Sequence, residues 1–95
     1  MKLVTIVCEA YAKDAVTKVL REVGAQGYTV FPVEGEGSRG KRPADIPEFA
    51  NIQIEVIVPP AVAEQLLETL GRDLFARYAM VAFESDVRVL RPQKF

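Results

Sequence analysis

Four apolar runs rich in β-branched residues, interleaved with two helical segments, restrict the fold of this chain more than any other feature. The runs span residues 3–8, 28–33, 51–58 and 80–90. The first, LVTIVC, is a short run of mostly apolar, β-branched residues, which is typical of a strand buried on both faces. The third, NIQIEVIV, alternates apolar and polar residues, which predicts a strand with one fully buried face. Pro32 in the second run indicates an edge strand or a strand end, where no ladder hydrogen bond is lost.

The two segments between these runs have the apolar spacing of amphipathic helices. Residues 13–23 place Val16, Val19, Leu20 and Val23 on one face, and Gly24 is expected to end the helix in the left-handed conformation. The second helix is predicted to begin at the Pro-Pro pair of residues 59–60, since proline is tolerated in a first helical turn. Its predicted buried stripe consists of Val62, Leu66, Leu67, Leu70 and Leu74.

The order β-α-β-loop-β-α-β predicts an α+β fold, the ferredoxin-like βαββαβ plait with a four-stranded antiparallel sheet. The 95 residues suffice for one hydrophobic core, so residues 1–95 are expected to form a single domain. Both helices of such a plait lie on one sheet face. The other face would carry Gln53, Glu55 and Ile57 with further apolar residues, too apolar to remain solvated. We therefore expect other copies of the chain to cover it.

Composition removes several classes of function. Cys8 is the only cysteine and histidine is absent, so an intrachain disulfide, a Cys/His zinc site and a histidine general base are excluded. Cys8 is expected to be a small buried hydrophobe. A net charge of -1 gives no overall field that would attract nucleic acid. No apolar run reaches the length of a membrane span and the amino terminus has no signal-peptide pattern, so we expect a cytoplasmic protein.

Residues 34–50 form a predicted long loop, a kind of segment that is usually functional or disordered. Gly35 and Gly37 permit close approach of the backbone, whose N–H groups can face an anion. Arg39 and Arg42 carry guanidinium groups that can hold phosphate or bicarbonate in a bidentate manner. The alternative is that the glycines simply leave a strand and the arginines are solvated.

Residues 20–40, LREVGAQGYTVFPVEGEGSRG, resemble the PII signalling proteins, whose first helix ends in a similar EVG-x-x-G-x-TV turn and strand before a glycine-containing loop. Residues 54–59 (IEVIVP) and 83–87 (FESDV) look like the PII strand after that loop and the last PII strand. The resemblance covers nearly the whole chain in order. Within the superfamily, the GSRGKR of residues 37–42 is similar to PII-like branches linked to inorganic carbon, namely the bicarbonate-transporter regulators and the carboxysome-associated proteins.

The resemblance implies a non-enzymatic homotrimer that binds an adenine nucleotide in each cleft between neighbours. A loop at about residues 34–50, the T-loop of the family, would rearrange on binding and contact a partner, a bicarbonate transporter or a carboxysome component. Bicarbonate would be a second ligand. Residues 77–81 (RYAMV) lack the glycines and lysine of the nitrogen-regulatory proteins, so AMP, ADP or cyclic AMP is expected rather than ATP with magnesium and 2-oxoglutarate.

The same resemblance places Gly27, Tyr28 and Thr29 near adenine and ribose, Glu55 near both, and Ile57 against the base. Tyr28 and Thr29 could instead be ordinary strand residues, and Glu55 could form a salt bridge across the trimer. Arg88 and Arg91 would close the phosphate side, unless they are solvated. The complete predicted nucleotide site is Gly27, Tyr28, Thr29, Gly35, Gly37, Ser38, Arg39, Arg42, Glu55, Ile57, Arg88 and Arg91.

Two other functions fit the same plait. An acylphosphatase-like enzyme would need an arginine-containing phosphate loop near the amino terminus and a water-orienting asparagine, whereas the glycines here follow the second strand and Asn51 is the sole asparagine. A metal-tolerance trimer of the CutA type has a similar fold and should be stabilised by metal ions.

Overall fold

A four-stranded antiparallel sheet with two helices against one face forms the computed structural model, which describes residues 1–37, 40–41 and 51–95. The strand order is β2-β5-β1-β6. This arrangement confirms the predicted ferredoxin-like plait. The elements in chain order are β1 (Lys2–Glu9), a 3-10 turn (Ala10–Ala12), α1 (Lys13–Glu22), β2 (Thr29–Val33), β3 (Glu36–Gly37), β4 (Gly40–Lys41), β5 (Asn51–Val58), α2 (Pro60–Asp73), β6 (Met80–Asp86) and a second 3-10 turn (Pro92–Lys94).

The hydrophobic core lies between the helices and the even-numbered side chains of the central strands. Val4 of β1 pairs with Val56 of β5, and Ile6 pairs with Ile54, so these side chains share one sheet face. The core residues that are at most 1% exposed include Val4, Ile6, Cys8, Val16, Leu20, Ile54, Val56, Val58, Ala63, Leu66 and Leu70. The predicted inward face of the third strand is therefore confirmed.

The end of α1 and the start of α2 follow from the residues at those positions. At Gly24 the backbone has φ +86°, and the Ala25 N–H donates to the Leu20 carbonyl at 2.9 Å, which closes the end of α1 as predicted. Pro59, extended at φ -61° and ψ 154°, precedes α2, and Pro60 is its first residue. Leu74 was expected in the α2 stripe; it is buried, but it follows the last helical residue.

The last strand is shorter than predicted, because it ends at Asp86 and not at residue 90. Asp86 pairs with Lys2, the first residue of β1, so β6 has no further strand beside it. The Val87 N–H still donates to the Met1 carbonyl at 3.2 Å, and the chain then continues without strand structure. The length of β6 is thus set by where its neighbour begins.

The predicted loop 34–50 contains two short strands in its described part. Glu36 pairs with Lys41 and Gly37 pairs with Gly40, which makes a hairpin of β3 and β4. The remainder of this segment, including Ser38, Arg39 and Arg42, lies outside the described residues.

The sheet face away from the helices, here called the open face, carries the odd-numbered strand residues. Val81 and Phe83 of β6 are each 52% exposed, while Leu3 and Val7 of β1 are half-buried. Thr5, between them on the same face, is 4% exposed, so in the single chain the open face of β1 is only partly buried, which corrects the prediction of burial on both faces. β2, with Pro32, is an edge strand, as predicted. Among the described residues, neither α1 nor α2 nor any shorter helix has the length and apolar character needed to cross a membrane.

Candidate functional site

An open cleft of about 250 Å³ lies on the open face, at the end of the sheet where β2 begins. It is just below the roughly 300–1,000 Å³ of pockets that enclose a whole drug-sized ligand, so it suits part of such a molecule. The residues that line it are Leu3, Gly27, Tyr28, Thr29, Glu55, Ile57 and Phe95.

Strand register brings the strand residues of this cleft together. Thr29 of the edge strand pairs directly with Glu55, and Ile57 pairs with Leu3 of β1. Directly opposite residues in an antiparallel pair present their side chains on the same face, about 4.5–5.5 Å apart at Cβ. The cleft therefore has a polar part at Thr29 and Glu55 and an apolar part at Leu3 and Ile57.

Glu55 is the carboxylate in the cleft, and it is only partly exposed. The Gln53 Nε2 donates to Glu55 Oε2 at 3.2 Å, along the same face of β5. An ionised carboxylate has about four lone-pair positions for hydrogen bonds. Glu55 can therefore accept further donors from a ligand, such as ribose hydroxyls or an exocyclic amine.

The twelve residues of the predicted site fall into three groups. Five of them line the cleft: Gly27, Tyr28, Thr29, Glu55 and Ile57. Gly35 and Gly37 are placed in the backbone beyond the other end of β2, and Ser38, Arg39 and Arg42 lie outside the described residues. Arg88 and Arg91 are exposed in the segment after β6 and do not line the cleft. Arg88 was predicted within the last strand and Arg91 at its end; both positions are wrong, because β6 ends at Asp86.

The cleft and the glycine-containing loop lie at opposite ends of β2. Thr29 begins this strand and Val33 ends it, so four residue steps of about 3.3 Å separate the two ends by about 13 Å. Gly35 follows two residues later. Within one chain, the described loop glycines Gly35 and Gly37 therefore do not line the cleft that contains Thr29 and Glu55.

Two residues of the cleft, Leu3 and Phe95, were not predicted. The alternation of strand one could have indicated Leu3, because its partner in the register is Ile57. No local pattern identifies Phe95, which reaches the cleft only through the path of the chain after β6.

Comparison with known proteins supports a common origin for the whole described architecture. The family model described as nitrogen regulatory protein P-II matches residues 1–94. A PII-like signalling protein of Thermus thermophilus has 41% sequence identity and a TM-score of 0.86, over 99% of this chain and 93% of that one.

The protein CPII of Thiomonas intermedia, a nitrogen regulatory PII-like protein, is also similar. Its structure bound to ADP, AMP and bicarbonate has 32% identity and a TM-score of 0.89, over 99% of this chain and 92% of that one. Its structure bound to ADP and bicarbonate has 33% identity and a TM-score of 0.87, with the same coverage. The resemblance read from residues 20–40 is confirmed, and the chain belongs to the nitrogen regulatory protein P-II family.

Proposed function

We propose that this protein is a PII-like signalling protein that binds an adenine nucleotide in clefts between the subunits of a homotrimer. AMP or ADP is the favoured ligand, with cyclic AMP as the alternative, and bicarbonate is a second ligand. The protein acts by binding and not by catalysis. Its T-loop, at about residues 34–50, transmits the bound state to a partner in inorganic-carbon uptake or fixation, a bicarbonate transporter or a carboxysome component.

The cleft is the observation that carries this proposal. Its apolar part suits a flat base, while Thr29 and Glu55 offer a hydroxyl and a carboxylate to the polar edge of the base or to ribose. CPII, which shares 32% of the sequence, binds ADP, AMP and bicarbonate. The chemistry of the cleft and the ligands of this relative therefore agree.

The separation of the site into two parts supports its location between subunits. A nucleotide seated against Glu55 and Thr29 places its phosphates outside a cleft of about 250 Å³. The glycines of the same chain begin beyond the far end of β2. In a closed cyclic trimer each interface is formed by different surfaces of two neighbours. The loop of one subunit can then supply backbone N–H groups and Arg39 to the cleft of the next.

Glycine at position 27 also favours a partner outside the single chain. Its φ is not in the left-handed region, and a Cβ added there would meet nothing within 4 Å. Neither backbone strain nor intrachain packing requires glycine at this position. Close approach by a ligand or a second subunit would explain why this position has no side chain.

Titration calorimetry with AMP, ADP, ATP and cyclic AMP, each with and without bicarbonate, tests this function. We expect AMP or ADP to bind the wild-type protein, and Glu55→Ala to weaken that binding by about 1.5–3 kcal/mol, because a charge-assisted hydrogen bond is lost. Glu64→Ala removes an exposed carboxylate of α2 and is the matched control, with affinity equal to wild type. Absence of adenylate binding, or equal affinities for all three proteins, would contradict the proposal.

The rival functions are separated in the same samples. A CutA-like trimer should gain thermal stability from divalent copper or zinc and none from AMP. An acylphosphatase-like enzyme should release phosphate from acetyl phosphate. We expect the opposite pattern, with adenylate raising the melting temperature and no phosphate release.

A further inference from the structure

Phe95 lies far from the cleft along the chain but forms part of its wall. β6, which precedes it, is the edge strand on the opposite side of the sheet from β2. The segment after β6 therefore returns across β1 and reaches the cleft at β5 and the start of β2. Crossing two strand spacings of about 4.8 Å each is well within the reach of nine residues.

One backbone hydrogen bond attaches the start of this returning segment to the amino terminus, and another closes the turn at its end. The Val87 N–H donates to the Met1 carbonyl at 3.2 Å, beside the start of β1. The Phe95 N–H donates to the Pro92 carbonyl at 3.1 Å, within the 3-10 turn. Phe95, which lines the cleft, therefore follows a segment that is anchored at its start and ordered at its end.

Phe95 forms part of the wall of the cleft and does not fill it. Phe95 is only partly buried, and about 250 Å³ remains open beside it. Leu3 and Ile57, a directly paired couple on β1 and β5, supply the rest of the apolar lining. An aromatic ring beside two aliphatic side chains is an arrangement that accepts a flat, apolar ring system, because each base has a π-face on which an aromatic ring stacks.

We propose that Phe95 is a base-contacting residue, whose ring packs on the face of the purine bound in this cleft. This inference rests on the proposed binding of adenine nucleotide and adds the residue that reads the base. Thr29 and Glu55 then face the polar edge of the same base or its ribose. Of the segment from Val87 to Phe95, only Phe95 lines the cleft and so becomes part of the ligand site.

Calorimetric titration with AMP and fluorescence with 2-aminopurine riboside 5′-monophosphate test this role in the full-length protein. We expect Phe95→Ala to weaken AMP binding about tenfold or more, because stacking of a base on an aromatic ring is lost. Bound 2-aminopurine is quenched when it is stacked, so its fluorescence should be higher in the Phe95→Ala variant than in wild type. Phe95→Tyr keeps an aromatic ring, so its AMP affinity and the fluorescence of its bound probe should both equal those of wild type.

Leu90→Ala is the matched control, since Leu90 is an apolar residue of the same segment that is 84% exposed. It should bind AMP as wild type does. Wild-type affinity in Phe95→Ala would overturn the proposal, and tighter binding would show that the ring obstructs the cleft. Weaker AMP binding with unchanged fluorescence of the bound probe would reduce Phe95 to a structural role. A wild-type protein that binds no AMP would instead overturn the proposed function itself.

Discussion

Gly24 is the residue at which the backbone enters the left-handed region, and it is the one positive-φ residue in the part of the chain that the structure describes. The Ala25 N–H donates to the Leu20 carbonyl just beyond the last turn of α1. This turn redirects the chain towards Gly27 and Tyr28 in the cleft. An added Cβ at Gly24 would meet nothing within 4 Å, so any penalty for a side chain there comes from the backbone alone.

Gly24→Ala should lower the free energy of unfolding by about 1–2 kcal/mol, because an L-residue is strained at φ +86°. Gly71→Ala is the matched control, since Gly71 lies within α2 and a Cβ there also meets nothing within 4 Å. That variant should gain about 0.5–1 kcal/mol from helix propensity. Urea denaturation at one fixed protein concentration measures both. Two variants of equal stability would refute the assignment of strain to Gly24.

At the scale of elements, Lys2 of β1 forms ion pairs with two carboxylates of β6, those of Asp86 and, at 3.9 Å, Glu84. Lys2 Nζ of β1 lies 2.6 Å from Asp86 Oδ1 of β6, and the two residues are directly paired across the strands. The hydrogen bond and charge of Lys2 lower the pKa of Asp86, and those of Asp86 raise the pKa of Lys2. The Asp86 side chain is 85% exposed, so solvent screens the pair and its effect on stability is small.

Asp86→Asn should reduce the melting temperature slightly at neutral pH, and the difference from wild type should disappear in acid. A carboxyl group whose pKa is lower in the folded state stabilises the fold above its unfolded pKa, near pH 4. That stabilisation is lost as pH falls through the lowered pKa. Thermal melts from pH 7 to pH 2, with the exposed Glu64→Gln variant of α2 as control, measure this dependence. A difference that persists at pH 2 would assign the effect to something other than the ion pair.

At the scale of the whole molecule, the open face and the cleft belong to one surface. The cross-strand row Thr29–Glu55–Thr5–Phe83 runs from the cleft to the half-exposed β6 edge. Apolar side chains such as Phe83 and Val81 stay in water in the single chain. Covering these side chains with neighbouring subunits would remove the free-energy cost of exposing them to water. It would also place a second chain beside the cleft.

Phe83→Glu should therefore disrupt the trimer and weaken AMP binding together, although Phe83 does not line the cleft. A buried, unpaired carboxylate would oppose assembly. Light scattering gives the mass of the assembly and calorimetry the affinity. Ala61→Glu, which places a carboxylate at an exposed position in α2, is the control and should leave both unchanged. A monomeric Phe83→Glu protein with full AMP affinity would mean that each subunit binds its ligand alone.

The sequence by itself determined the order of the elements and the face on which each side chain lies. Period-two alternation put Ile54, Val56 and Val58 inward and Glu55 and Ile57 on the open face, because strand geometry is local. Helical spacing predicted α1, and Gly24 predicted its end, because helix geometry is also local. The motif that resembles the PII proteins also named five of the seven residues that meet in the cleft.

Only the tertiary structure decided where distant segments end and meet. β6 stops at Asp86 because β1 begins at Lys2, so Arg88 lies outside the strand in which it was predicted, and Arg91 lies well beyond the strand's end. The resemblance put the loop glycines and Glu55 in one nucleotide site, yet within one chain the length of β2 separates Gly35 from Thr29, the strand partner of Glu55. Phe95 reaches the cleft through the path of the segment after β6. Strand pairing and chain path depend on contacts between remote residues, which no local period records.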